Sequence, residues 1–358
     1  PCPATAQAQR QLLWQIGSPD RGSAEFALAP NRYGQFRDDG FFVSIVDEAH
    51  ALMNPELPGT TGPTGWPGAF GPQAFHVIRA SRASVFLLDG EQSFRDRETT
   101  SADDIEKWGR ELGATVLPRI RLSDTQFRLG GSAEYMDWLE AVLAGQTPGV
   151  SVDAWRKSPR APDARMTFEI VDDPLELEER LRPHLTEGHT ARLLAAYGRP
   201  WKTKGISNPH SLPPDEMDFD LSFRRAGHRH RWSRVWNYAP GNGSPDYTQF
   251  VQAPPGSAMA KDPLCEVGCP YVVRGFDYGY VGILWLSDLL WRKDRWVFDL
   301  SHVHESGFTH SRAAAKREKG HDGPASKALL RRLQQAYRIL LSRALHGAYV
   351  WFEDGETR

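Results

Sequence analysis

The sequence predicts an α/β protein of two units, each built on a mostly parallel sheet. Three observations carry this. The apolar run Phe41-Phe42-Val43-Ser44-Ile45-Val46 has strand length and stops abruptly at Asp47-Glu48. A run so rich in β-branched and aromatic residues reads as a buried parallel strand covered on both faces. Strand and helix patterns alternate from about residue 32 to 145, as βα units require. A second alternation runs from Met166 to Phe352.

Taken in order, the strand at 41–46 is followed by a loop, Pro58 to Pro72, too rich in Gly and Pro for regular structure. A second apolar run, Ser84 to Leu88, also ends in an acid, Asp89, followed by Gly90-Glu91-Gln92. Ser101 and Asp104 have the spacing of a capping box, which opens a helix reaching Leu112. Gln126-Phe127-Arg128 precedes Gly130-Gly131 and an amphipathic helix from Ser132 to Leu143. Gly, Pro, Ser and charged residues between Gly145 and Ala164 read as a linker. This divides the chain into a first domain, 1–150, and a second, 151–358.

The second domain opens with a strand at Met166–Val171 and a helix over Pro174–Leu185 whose first turn is acidic, as helix N-termini favour. Residues 205–265 read as loop-rich, with a basic stretch from Arg224 to Arg234. A strand at Tyr280–Leu286, a helix over Ala325–Leu345 and a strand at Ala348–Phe352 complete it.

Composition narrows the class. Hydrophobic residues at 40% and charged residues at 25% describe a soluble globular chain rather than a disordered one. The net charge of −2 gives no global attraction to nucleic acid, so such binding must use local patches. Three cysteines make no disulfide framework, which suits a reduced cytoplasm, and Cys265 with Cys269 alone are too few for structural zinc. No apolar stretch has membrane-spanning length. Several of the twelve tryptophans adjoin Arg or Lys, but core filling is the better reading for most.

Chemistry concentrates at strand ends. Two acids at the mouth of a parallel strand sit where open α/β sheets bind ligands. Asp47 there suits Mg²⁺ and Glu48 suits orienting or deprotonating a water, as nucleotide hydrolysis needs; an Asp-Glu pair capping the next helix is the structural alternative. Gln92 offers an amide to a phosphate or to the attacking water without adding charge. Arg128 and Arg343 flank strand or helix ends, and a guanidinium fork binds phosphate bidentately. An arginine supplied to the transition state is worth roughly 10³–10⁵ in rate. Arg229, Arg231 and Trp232, in the basic stretch, could follow a nucleic-acid backbone or form a solvated loop. His302, His304 and His310 have metal-compatible spacing but no adjoining cysteine or acid set.

The segments VSIVDEAHAL (43–52), LLDGEQSF (87–94), TQFRLGGS (125–132), VVRGFDYGYVGIL (272–284) and YRILLSRALHGAYVWFED (337–354) occur in this order. Together they resemble superfamily 1 helicase motifs, and most closely the Schlafen group 3-like DNA/RNA helicase domain. That resemblance implies two RecA-like P-loop NTPase lobes, the first incomplete, hydrolysing ATP with Mg²⁺ at their interface to drive a helicase or translocase along DNA or RNA. It implies that Asp47 holds Mg²⁺, Glu48 acts on the water and Gln92 couples the γ-phosphate to nucleic acid. Arg128 and Arg343 then contact the γ-phosphate, and Gly275 and Asp277 belong to the motif that touches nucleotide and strand. The family more often has Gln-Gly and Glu there, so Arg274 and Asp277 are departures; Arg274 is a candidate strand contact.

One motif is missing from the string. No Gly-x-x-x-x-Gly-Lys-Ser/Thr loop occurs, and GRPWKTKG (198–205) lacks the glycine before Lys202. The expectation is that residues 1–40 end a first lobe, and that a preceding segment or another subunit supplies the phosphate loop. Two other readings stay open: a non-hydrolysing module that binds nucleic acid or a partner, and an NTPase switch without translocation.

Overall fold

The structure, a computed structural model, describes residues 37–54, 71–120, 132–158, 163, 166–239, 247–318 and 320–358. The chain forms two compact units. One lies within Pro1–Arg121 together with Gly307–Ala313, the other within Leu122–Ser306 together with Ala314–Arg358. Both are α/β.

In the first unit the described elements are β1 (Phe41–Val46), α1 (Gln73–Arg79), β2 (Ser81–Phe86) and α2 (Ala102–Glu111). The two strands are parallel, with Phe41 opposite Ser81 and Val46 opposite Phe86. The capping box of α2 forms as expected: Ser101 Oγ accepts the Asp104 N–H at 3.1 Å and the Asp104 carboxylate accepts the Ser101 N–H at 3.0 Å. The core is Val46, Ala49 and Leu52 against Ala74, Val77 and Trp108.

Two expectations need correction here. The second strand starts and ends earlier than the apolar run, because Leu87 and Leu88 lie beyond it. Burial of β1 on both faces is also not observed, since Phe42 is 78% and Ile45 70% exposed. Among the described residues β1 pairs only with β2, and the core cluster involving α1 and α2 takes the side chain of Val46. Ser44 and Val46 are buried while Val43 and Ile45 are exposed, so the second half of the strand alternates although Ser44 is its one polar residue.

The second unit contains α3 (Ala133–Leu143), β3 (Thr167–Val171), α4 (Pro174–Thr186), β4 (Ala191–Ala195), β5 (Phe219–Arg225), β6 (His228–Trp236), α5 (Tyr247–Gln252) and α6 (Ala258–Lys261). After these come β7 (Glu266–Gly268), α7 (Pro270–Val273), β8 (Tyr278–Trp285), β9 (Leu289–Arg292) and β10 (Arg295–Phe298). The chain then passes through α8 (Thr309–Arg317) to α9 (Pro324–Leu341) and β11 (Ala344–Phe352). Among the described residues, seven strands form one sheet in the order β3-β11-β8-β4-β7-β6-β5. All its pairs are parallel except β5 with β6.

The centre of this sheet is dry. Every residue of β4 is buried, and most of β8 and β11 is too. Leu177 and Leu181 of α4 lie directly on Gly282 of β8, where a Cβ would come within 2.7 Å of Leu181 Cδ1. The missing side chain is what lets the helix settle on the strand. Trp155, Trp232, Trp236, Trp285 and Trp351 are buried, in line with core filling.

Three sequence readings differ from this unit. Residues 205–265 include a regular hairpin, β5–β6, closed by Ala226 (φ 48°) and Gly227 (φ 82°). Two consecutive left-handed residues make the turn that suits strand twist. Arginines and histidines crowd the first four positions of β6 and mask a strand whose far end buries Trp232, Val235 and Trp236. Helix α9 ends at Leu341, short of the expected Leu345, because Ala344 already pairs with Tyr278 and the ladder shifts register before Gly347. The apolar string there fits helix and strand equally well. The sequence reading also passed over β4. Among the described residues, no helix is long and apolar enough to cross a membrane.

Candidate active site

The first unit builds its site where β1 and β2 end. Val46 C=O accepts the Leu87 N–H at 2.9 Å, and the Ala49 N–H returns to Leu87 C=O at 2.8 Å. Between those two bonds the chain must turn within three residues. Glu48 makes the turn in the left-handed region, φ 52° and ψ 41°, a conformation that costs a residue with a Cβ of order 1–3 kcal/mol and clusters at functional sites. Asp47 Oδ1 steadies it by accepting the Glu48 N–H at 2.9 Å. As a result Asp47 faces solvent while Glu48 is buried, 7% exposed.

Glu48 is held by its neighbours on the same turn. Its Oε2 lies 3.0 Å from His50 Nε2, off the line of a good hydrogen bond and so chiefly an electrostatic contact. On the other side of the ring, His50 Nδ1 accepts the Asp89 N–H at 3.2 Å. An imidazole that accepts at Nδ1 carries its proton on Nε2, the nitrogen facing the carboxylate. The Asp89 carboxylate accepts from the Glu91 N–H and from Gln92 Nε2, both at 3.0 Å. Ser93 Oγ donates to the His50 carbonyl at 3.1 Å. Glu48, His50, Asp89 and Gln92 thus form one polar chain across the carboxyl ends of two parallel strands. Sequence reasoning singled out Asp47, Glu48 and Gln92 but gave His50 and Asp89 no role. Their signal was present: a His two residues after the acid, and an acid closing the second apolar run.

In the second unit, Arg274, Gly275, Asp277 and Arg343 gather at the amino ends of β8 and β11. Arg343 is 1% exposed. Its Nε donates to Ile339 C=O at 3.1 Å, Nη2 to Ser342 Oγ at 3.3 Å, and Nη1 lies 3.8 Å from Asp277 Oδ1. The Arg343 carbonyl accepts the Tyr278 N–H at 2.9 Å, which locks the two strand starts together. Gly275 takes φ 83°, a backbone that favours glycine, in the link from α7 to β8. Arg274 is fully buried. Each of the two sets is coherent within its own unit. Arg128 lies outside the described residues.

A family profile described as "Schlafen group 3, DNA/RNA helicase domain" matches residues 21–354. The chain belongs to this family. It is also similar to an uncharacterized protein of Saccharomyces cerevisiae, YPL245W, at 21% identity over 329 residues. That match covers 88% of this chain and 63% of the relative, so the chain spans under two thirds of the length of the curated relative it matches. Membership of this helicase-domain family supports a nucleic-acid-related, helicase-like role.

The hairpin residues read as nucleic-acid contacts have distinct surroundings. Arg229 is exposed. Arg231 forks onto Asp220 at 2.6 and 2.8 Å. Trp232 is 2% exposed and donates its indole N–H to Glu178 at 2.7 Å. The second unit of this helicase-family chain also holds a cavity of about 560 Å³ lined by Trp138, Phe168, Trp285, Trp291, Trp296 and other largely apolar side chains. None of the sequence-predicted site residues lines it.

Proposed function

We propose that this helicase-family chain is part of an ATP-dependent DNA or RNA motor of superfamily 1 type, built on two RecA-like lobes. The observation that carries the reading is the buried Glu48, set by a left-handed turn at the strand end and braced by His50, with Gln92 reached through Asp89. Strain of that kind survives only where the surroundings over-determine it. The donor set suits the substrate. Mg²⁺ takes hard oxygen ligands, one or two carboxylates plus phosphate oxygens, and Asp47 presents its carboxylate to solvent. Bound Mg²⁺ would neutralise the charge of the triphosphate.

In this reading Glu48 takes the proton of the attacking water while the bond between the γ-phosphorus and its bridging oxygen breaks, leaving ADP and phosphate. Gln92 reports the state of the γ-phosphate through Asp89 and His50. Arg128 and Arg343 are assigned the transition-state charge, with Gly275 and Asp277 on nucleotide and strand. A phosphate loop from a preceding segment or another subunit completes the set. The exposed face of β6 supplies the strand contacts, whereas Arg274, expected beside them, is buried.

The lack of a Gly-x-x-x-x-Gly-Lys-Ser/Thr loop within these 358 residues favours a second reading, a binding module without hydrolysis. ATPase measurement on the whole protein, with and without single-stranded DNA or RNA, separates the readings. Strand-stimulated turnover supports the motor. Unstimulated turnover indicates a switch, and none at all indicates the module.

A further inference from the structure

The second unit brings His210 to two adjacent side chains, Cys265 and Glu266, that lie far from it in the sequence. His210 lies on a single 3₁₀ turn, Pro209–Ser211, and its Nε2 is 3.0 Å from Glu266 Oε1. Glu266 opens β7 and is only 1% exposed; its second oxygen accepts the Tyr238 N–H at 3.1 Å. Cys265 precedes it in a tight turn, with its N–H on Asp262 C=O at 3.0 Å. That turn defeats the usual strand alternation, so consecutive residues converge instead of pointing to opposite faces. The imidazole nitrogen, the thiol sulfur and a carboxylate oxygen all lie within 4.8 Å of one another.

We propose that His210, Cys265 and Glu266 form a zinc site. Geometry supports it first. Two ligand atoms about 2.05 Å from zinc at a tetrahedral angle are about 3.3 Å apart, and the His210–Glu266 separation is already close to that. Drawing the sulfur in requires movement of the order of 1 Å in a side chain set on a turn. Chemistry supports it second. A thiolate excludes Mg²⁺ and Ca²⁺ as preferred ions, whereas zinc takes sulfur, imidazole and carboxylate together. The Met259 thioether, 3.6 Å from Cys265 Sγ, closes one side of the thiol with an apolar, polarisable group. Three protein ligands leave a fourth position for water. Bound zinc would pin the 209–211 turn to the start of β7. His302, His304 and His310 do not form such a group among the described residues.

The test uses the whole chain, stripped with a chelator and titrated with Zn²⁺ and with Co²⁺ alone. One zinc per chain is expected, and cobalt should give a thiolate-to-metal charge-transfer band. Cys265→Ser should abolish the band and weaken zinc binding at least tenfold, while Cys269→Ser keeps both. His210→Ala, on a surface turn outside the sheet core, should also weaken binding at least tenfold, which covers the case where Cys265→Ser misfolds. Cobalt bound without the band, zinc retained undiminished by His210→Ala, or no zinc bound at all would overturn the site.

Discussion

His50 Nε2 stands 3.0 Å from Glu48 Oε2 while its Nδ1 accepts the backbone N–H of Asp89. The ring therefore orients the carboxylate from a position fixed by the second strand end. If Glu48 is the base, Glu48→Gln should lower ATP turnover of the whole protein by about 10²–10⁴, the usual contribution of a positioned base, with nucleotide affinity retained. Steady-state turnover and equilibrium binding of a labelled nucleotide check this together.

His50 in that scheme is a positioning residue. His50→Ala should reduce turnover about tenfold or more and shift its pH profile, because Glu48 loses its neighbouring N–H. His50→Gln, which can accept from the Asp89 N–H and still offer an N–H to Glu48, should restore most of the loss. A purely structural role would lower stability in both variants without moving the pH profile.

Burial raises the Asp288 carboxyl from 3.8 to about 7, although the Tyr337 hydroxyl donates to it at 2.6 Å. Its folded value lies above the unfolded one, so the native state binds the proton more tightly. Stability from this group is then greatest below about pH 4 and falls as pH rises toward 7, by roughly 4 kcal/mol at 1.36 kcal/mol per tenfold. Asp288→Asn keeps an acceptor for Tyr337 and removes the charge. The variant should match the wild type near pH 4 and exceed it at pH 8, as read from denaturant midpoints at both pH values. Equal midpoints at pH 8 would contradict the assignment.

Gly282 is a packing requirement. Adding its Cβ brings atoms to 2.7 Å from Leu181 and 3.0 Å from Leu177. Gly282→Ala should cost about 1–3 kcal/mol of stability. Combined with Leu181→Ala it should cost less than the sum of the two single changes, since they share one space. Thermal melts of the four proteins measure the coupling.

The β5–β6 hairpin gives a further contrast. Trp232→Phe removes one of two donors to the buried Glu178 Oε1, which keeps Arg234, and should cost about 0.5–1.5 kcal/mol of stability, leaving nucleic-acid affinity unchanged. Arg229→Ala should leave stability alone, weaken strand binding across sequences and reduce the slope of affinity against salt by about one. Fluorescence anisotropy over a salt series distinguishes them.

Local chemistry made much of this chain legible in the string. Ser101 with Asp104, Ser132 before α3, and the acidic first turn of α4 mark helix starts by satisfying backbone N–H groups within a few residues. The order of short motifs gave the family, and the acid pair after β1 marked the turn at which the site is proposed.

Tertiary contact decided the rest. Whether the apolar β1 is covered on one face or two depends on which helices lie against it, and no local pattern encodes that. The β5–β6 hairpin hid behind arginines and histidines because burial at the far end of β6 comes from the fold, not from a local pattern. The bracing of Glu48 by Asp89 through His50, and the meeting of His210 with Cys265 and Glu266, join residues some forty to fifty-five positions apart. Sequence fixes what each side chain can do; only the folding of distant segments into one place determines what it does it with.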